Sequence, residues 1–227
     1  MPSTTAPRAS LSRELVLDAA LRLIDADGDE GLTFRRLGAE LGADPTAVYR
    51  YFRSKDDLLL AVADSIIGET IAEVPDNHGW RATLRGLAMN TYQSTLRHPR
   101  LAVLISSRTT QGEAEAKAIE RVLTVLDEAG LEPTEAVAVW RAFFDSVLAW
   151  AGMTAAFLSL PAETRSKDLS AWTGTYPNIS PELYPLLHGA GPLLAEAEAK
   201  DPFHDAVDLM LDGIAARLPD RPRKDTE

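Results

Sequence analysis

Arg35, Arg36, Thr46, Tyr49, Arg50, Tyr51, Arg53 and Lys55 fall in one short stretch, LTFRRLGAELGADPTAVYRYFRSKDDL, at residues 32–58. Together these side chains suit one kind of chemistry, the binding of nucleic acid. An arginine fork matches the O6 and N7 acceptors of guanine in the major groove, while lysine, hydroxyl and phenol groups meet phosphate oxygens. The whole chain has a formal net charge of −11, which opposes a polyanion. Between Thr33 and Lys55, however, five basic residues face two acids, Glu40 and Asp44, a local +3. Screening limits the reach of distant charges to roughly 8 Å at physiological salt, so the local potential decides.

The same stretch specifies the elements that must hold these residues. Thr33 is placed to cap a short helix running to Leu41, and Gly42 stops it. Asp44 caps the next helix, with Pro45 in a first turn where a missing N–H costs little. Ser54 opens a longer helix bearing Leu58, Leu59, Val62, Ile66 and Ile67, which ends before Pro75. Upstream, Ser12 precedes a helix with apolar residues at helical spacing, ending at Gly28. This order is a helix-turn-helix whose second helix enters a groove.

The remainder reads as helix after helix. EVPDNHG interrupts the pattern and is expected to be a hinge. Beyond it the spacing predicts helices over about 80–96, 99–108, 113–129 and 133–160. Residues 161–179 read as loop, and Ser180-Pro181 and Asp201-Pro202 as starts of two final helices. No run alternates as a half-buried strand should. The expected class is therefore all-α, with about ten helices. A helix-turn-helix domain spans residues 11–58 and a C-terminal domain residues 59–218, the fourth helix joining them, between flexible tails at 1–10 and 219–227.

Composition removes other classes. A hydrophobic content of 45% supports a packed core. The absence of cysteine excludes disulfides, thiolate metal sites and cysteine nucleophiles. His78, His98, His188 and His204 are scattered without metal-ligand spacing, and no cofactor is implied. The acidic turn Asp25, Asp27, Asp29, Glu30 lacks the rest of a calcium loop and reads as solvated. An enzyme would need a phosphate loop, a nucleophile elbow or a carboxylate pair, and none is found. The N-terminus has no apolar signal core, and residues 142–160 still carry Asp145, Ser146, Thr154 and Ser159. The expected compartment is the cytoplasm, with no membrane partner.

Three groups of residues then carry a family resemblance: Gly31-Leu32-Thr33, Leu37-Gly38-x-x-Leu41-Gly42, and Val48-Tyr49-x-Tyr51-Phe52-x-x-Lys55-x-x-Leu58. The segment from about Leu11 to Leu60 resembles the tetracycline-repressor (TetR) family of bacterial transcription regulators. The resemblance implies a homodimer that binds a palindromic double-stranded DNA operator and is released by a small-molecule inducer. It places Arg35, Pro45, Thr46 and Ala47 at base edges and Thr33, Tyr49, Tyr51 and Lys55 at phosphates, with Arg36 and Arg50 as further contacts. It also places Ile71, Leu87 and Leu104–Ile105 where the family's tetracycline sensor carries polar and magnesium-binding groups. The implied ligand is therefore mostly apolar and not a magnesium chelate.

In the C-terminal half, Ala142 to Leu160 is apolar nearly all round, so its helix must be covered on every face. A second subunit can cover one of them, and small residues such as Ala149, Gly152 and Ala156 permit close approach. Met89, Tyr92, Leu104, Trp140 and Phe144 are expected to line a ligand cavity. Asp145 orients a polar group there or pairs with Arg141 one turn away. The alternative is a DNA-binding dimer with a filled core and no ligand.

Overall fold

The computed structural model describes residues 11–75, 79–198 and 200–219. Of the expected hinge, residues 76–78 lie outside the described residues, as do residues 1–10 and 220–227 of the tails. Among the described residues every regular element is helical.

Helix α1 (Arg13–Gly31) starts where the Ser12 hydroxyl accepts the Leu15 N–H at 3.2 Å. Gly28 sits at φ 63° and ψ −146°, so the expected stop is a kink and the helix resumes to Gly31. Helix α2 (Phe34–Leu41) is capped by Thr33 and closed by Gly42 at φ 59°, a conformation that favours glycine. Helix α3 (Pro45–Val48) is a single turn capped by Asp44. A Cβ on Gly38 would lie 2.9 Å from the Ala43 carbonyl oxygen, so only glycine allows the turn to close this tightly on α2. Helix α4 (Lys55–Ala72) opens with the Ser54 hydroxyl accepting the Asp57 N–H at 3.0 Å.

The second half contains α5 (Gly79–Arg97), α6 (Pro99–Ile105), α7 (Glu113–Glu128) and α8 (Pro133–Leu158). There follow α9 (Ala162–Ser170), a π turn (Ala171–Thr175), a 3-10 turn (Tyr176–Asn178), α10 (Pro185–Glu198) and α11 (Phe203–Ala215). Residues 161–179 are thus largely helical where a loop was expected. Helix α9 buries none of its residues, so it has no apolar stripe to betray it. Its Arg165 ties it down by bonding the Leu158 and Leu160 carbonyls at 2.9 and 2.6 Å. Helix α10 begins at Pro185 and not at Pro181, because residues 181–183 form a turn after Ser180.

Two cores result. The smaller joins α1, α2 and α3 to the first half of α4 through Ile24, Leu37, Val48, Phe52, Leu58 and Val62, all buried. It continues along α4 to Ile66 and includes Leu101 of α6. The larger joins α5, α7, α8 and α11 around Leu84, Leu126, Phe143, Phe203 and Leu211. Arg85 pairs with Asp208 at 2.9 Å and Arg81 with Asp212 at 2.7 Å, fixing α11 against α5. Helix α8 has the length and apolarity of a membrane span, but its Val139, Phe143 and Val147 are buried in this core.

Candidate nucleic-acid interface and effector cavity

The turn between α2 and α3 is held by its own polar side chains. The Thr33 hydroxyl accepts the Arg36 N–H at 3.2 Å. Asp44 Oδ1 accepts the Thr46 hydroxyl at 2.6 Å and the Thr46 N–H at 2.8 Å. These two bonds, the hydroxyl's first, hold the Asp44 carboxyl below the usual carboxylate range. Thr46 is exposed at the start of α3, between half-buried Pro45 and Ala47. Arg35 and Arg50 are exposed and make no ion pair among the described residues. Tyr49 does two things, since its ring packs edge-on against Phe34 at 4.4 Å while 60% of the residue stays exposed.

Arg53 is likewise exposed without an ion pair among the described residues, whereas Arg36, Lys55 and Tyr51 are engaged within the chain. Arg36 pairs with Asp27, and Lys55 with the Asp29 carboxylate at 2.8 Å and the Asp29 carbonyl at 2.7 Å. The Tyr51 hydroxyl donates to the Leu11 carbonyl. The acidic turn is therefore not simply solvated: Asp27 and Asp29 anchor two basic side chains, and Asp25 holds His98 at 2.8 Å. Sequence spacing could not show this, because α1 and α4 meet only in the fold.

A cavity of 630 Å³ lies between α4, α5, α7, α8 and residues 106–109. Trp140, Phe144 and Asp145 line it, together with Ile71 and Leu87. Asp145 pairs with Arg141 at 2.9 Å, with both side chains more than half exposed, so the pair adds little stability. Met89, Tyr92 and Leu104 are placed elsewhere. Met89 packs on the larger core and Leu104 on the smaller. Tyr92 is 5% exposed and stacks on Phe203 at 4.0 Å; burial pushes its phenol up. Beyond Asp145 and Arg141, polar wall residues that sequence reasoning passed over are Thr70, Thr91, Ser106, Ser107, Thr109 and Glu115. Most of them sit on a loop or on a helix face with no pattern to mark them.

Two sets of bonds link this cavity to the helix-turn-helix. Asp64 of α4 accepts the Ala114 and Glu115 N–H groups at 3.2 and 3.0 Å, capping α7, whose own N-cap Gly112 has no side chain. Arg108, on the cavity wall, pairs with Asp56 in the first turn of α4 at 3.0 Å. At the other end of α6, Arg100 bonds the Asp25 carbonyl of α1 at 2.7 Å.

Residues 74–218 match the family model described as the tetracyclin repressor-like C-terminal domain, and residues 16–62 match that of bacterial regulatory proteins, tetR family. The chain belongs to the TetR family. Among its relatives is the HTH-type transcriptional repressor DrrR1 of Streptomyces coeruleorubidus, 37% identical over 133 residues, which are 58% of this chain and 49% of DrrR1. The match thus spans about half the length of that relative. The tetracycline repressor protein class A from transposon 1721 of Escherichia coli is 29% identical over 213 residues, 91% of this chain and 92% of that one. Among solved structures, SCO7222, a TetR from Streptomyces coelicolor, superposes with a TM-score of 0.78 at 26% identity, covering 92% of this chain and all of that one.

As a TetR-family member the chain is a DNA-binding transcriptional regulator and not an enzyme. The family fold accounts for the shared helix α4, which contributes Leu58 and Val62 to the helix-turn-helix core and Ile67, Thr70 and Ile71 to the cavity wall.

Proposed function

We propose that this TetR-family chain represses transcription in the cytoplasm as a homodimer on a palindromic operator, and that a mostly apolar small molecule in the 630 Å³ cavity releases it. Arg35 reads base edges early in α2, with Pro45, Thr46 and Ala47 beside it. Thr33, Tyr49 and Arg50 meet phosphates. Arg36, Tyr51 and Lys55 join them by exchanging Asp27, the Leu11 carbonyl and Asp29 for phosphate oxygens.

An apolar stripe left uncovered supports the dimer. On α8 it comprises Ala142, Ala149, Met153 and Ala156, and on α11 Leu209 and Gly213, all exposed in the single chain. Burying such a stripe against its own copy is the favoured symmetric solution.

The observation that carries the release mechanism is that α4 is both a cavity wall and the support of Lys55. A ligand shifts the equilibrium only by its preference for the arrangement that cannot bind DNA. Helix α4, held to the cavity rim by Asp64 and Arg108, is the element whose tilt resets the spacing of two α3 helices. To test this, aromatic compounds are screened for release of a recovered operator by fluorescence anisotropy. Leu148→Trp, which fills the cavity, is expected to keep operator affinity and lose release. Ligand-saturated protein that holds the operator as tightly as free protein contradicts the mechanism.

A further inference from the structure

The cavity does not end at the aromatic residues of α8. A second chamber of 120 Å³ adjoins it, with Ile67, Thr70, Thr91 and Leu148 lining both. Thr70, Thr95, Thr110 and His98 all border this inner chamber. Three of these have already committed their proton. The Thr70 hydroxyl donates to the Ile67 carbonyl at 2.8 Å, Thr95 to the Thr91 carbonyl at 3.1 Å, and Thr110 to Asp64 Oδ1 at 2.9 Å. His98 is the fourth. Its Nδ1 lies 2.8 Å from Asp25 Oδ2, and a carboxylate only accepts, so in the neutral ring the proton sits on Nδ1 and Nε2 keeps a bare lone pair.

A second observation bears on the ring's placement. Asp25 Oδ1 is buried with no hydrogen-bond partner among the described residues, so His98, on Oδ2, is the side chain that pairs with this carboxylate. The charged groups on the wall are also engaged. Glu115 accepts the Thr110 and Gln111 N–H groups at 3.2 and 2.9 Å, and Arg108 is paired with Asp56 at 3.0 Å. Thr91, Ser94 and Ser106 can turn their hydroxyls to either role. At His98 the chamber offers a bare lone pair, which a neutral hydrogen-bond donor fills and a ligand's ether or carbonyl oxygen leaves unpaired.

We propose that the effector is an aromatic or polycyclic alcohol, its ring body against Trp140 and Phe144 and its hydroxyl donating to His98 Nε2. This rests on the reading of the cavity as an effector site. The inner end of the ligand is then joined through one imidazole to Asp25 of α1, inside the helix-turn-helix module.

The probes that test this are 3-(9-anthryl)propan-1-ol, its methyl ether and 9-butylanthracene, titrated by fluorescence into the full chain at pH 8. Wild type is expected to bind the alcohol about tenfold more tightly than the other two, the value of one hydrogen bond. His98→Phe equalises the three. Asp25→Asn lets the proton move to Nε2 and shifts the preference toward the ether. The wild-type imidazole ¹⁵N spectrum gives an independent reading: Nε2 is unprotonated in the free protein and responds to the alcohol but not to the ether. Equal binding of all three probes to wild type overturns the proposal and leaves the cavity reading standing. A preference that survives His98→Phe overturns the role of His98. Failure of all three to bind overturns both readings.

Discussion

Asp64 of α4 accepts the backbone N–H of Glu115 at 3.0 Å, so a carboxylate on the helix that begins in the DNA-binding module caps a helix of the other domain. A Cβ on Gly112 would lie 2.1 Å from the Asp64 carboxyl carbon, which shows how closely α4 meets the start of α7. Asp64→Ala is expected to lower stability by about 1 kcal/mol, as for a lost helix cap. It should also weaken coupling: the variant binds effector but releases less operator at saturation. Thermal melts and anisotropy check the two effects separately, and full release by a folded variant contradicts the coupling role.

Among the described residues Arg35 stands exposed without an ion pair, unlike Arg36 beside it. Arg35→Ala is expected to cost about 1–3 kcal/mol in operator affinity and to relax specificity at one base pair per half-site. Arg36→Ala should cost less, since its guanidinium must first leave Asp27. A matrix of single-base operator variants titrated against both proteins measures the difference.

The helix-turn-helix was almost fully legible in the sequence because its signals are local. Thr33, Gly42, Asp44 and Pro45 act within a few residues of themselves, and their caps stand in the structure as spacing implies. What was hidden depends on distant segments meeting. No periodicity could reveal that Lys55 is held by Asp29 or that Asp25 reaches His98. The cavity was legible in its α8 wall, Trp140, Phe144 and Asp145. Trp140 and Phe144 stand out as large apolar residues on one helix, whereas Ser106, Ser107 and Thr109 reach the wall from the loop after α6. Tyr92 and Met89 show the opposite failure, since large residues on α5 fill the core instead of bounding a space.

Lys55 and Asp29 form an ion pair, which the proposed phosphate contact of Lys55 would have to open. Lys55→Ala is expected to weaken binding to all sequences alike and to reduce the slope of log affinity against log salt by about one for each phosphate left unneutralised. Asp29→Asn acts in the other direction, removing a competing carboxylate and raising affinity for non-operator DNA. Titrations at several salt concentrations with an unrelated duplex read both changes.

The Asp44 cap predicts an acid limit for the reading head. Its carboxyl is held below the ordinary value by the hydroxyl and then the N–H of Thr46, so the folded state takes up the proton less readily than the unfolded chain. The cap therefore contributes stability above the unfolded value of about 4 and loses it as pH falls through the lowered folded value. Asp44→Asn, which keeps an acceptor but no charge, should flatten this dependence without abolishing the turn. Acid titration followed through the resonances of Thr46 tests it.

The central claim is that Arg35 and the start of α3 read a palindrome from two copies of the chain. The most direct measurement is selection of bound duplexes from a random-sequence pool by the full chain, followed by determination of the mass of the complex on the enriched site. The expected result is an inverted repeat with half-sites about one helical turn apart, bound by two chains, and lost as an enriched site when Arg35→Ala replaces wild type. Enrichment of no sequence, or of a single unrepeated site bound by one chain, contradicts the account.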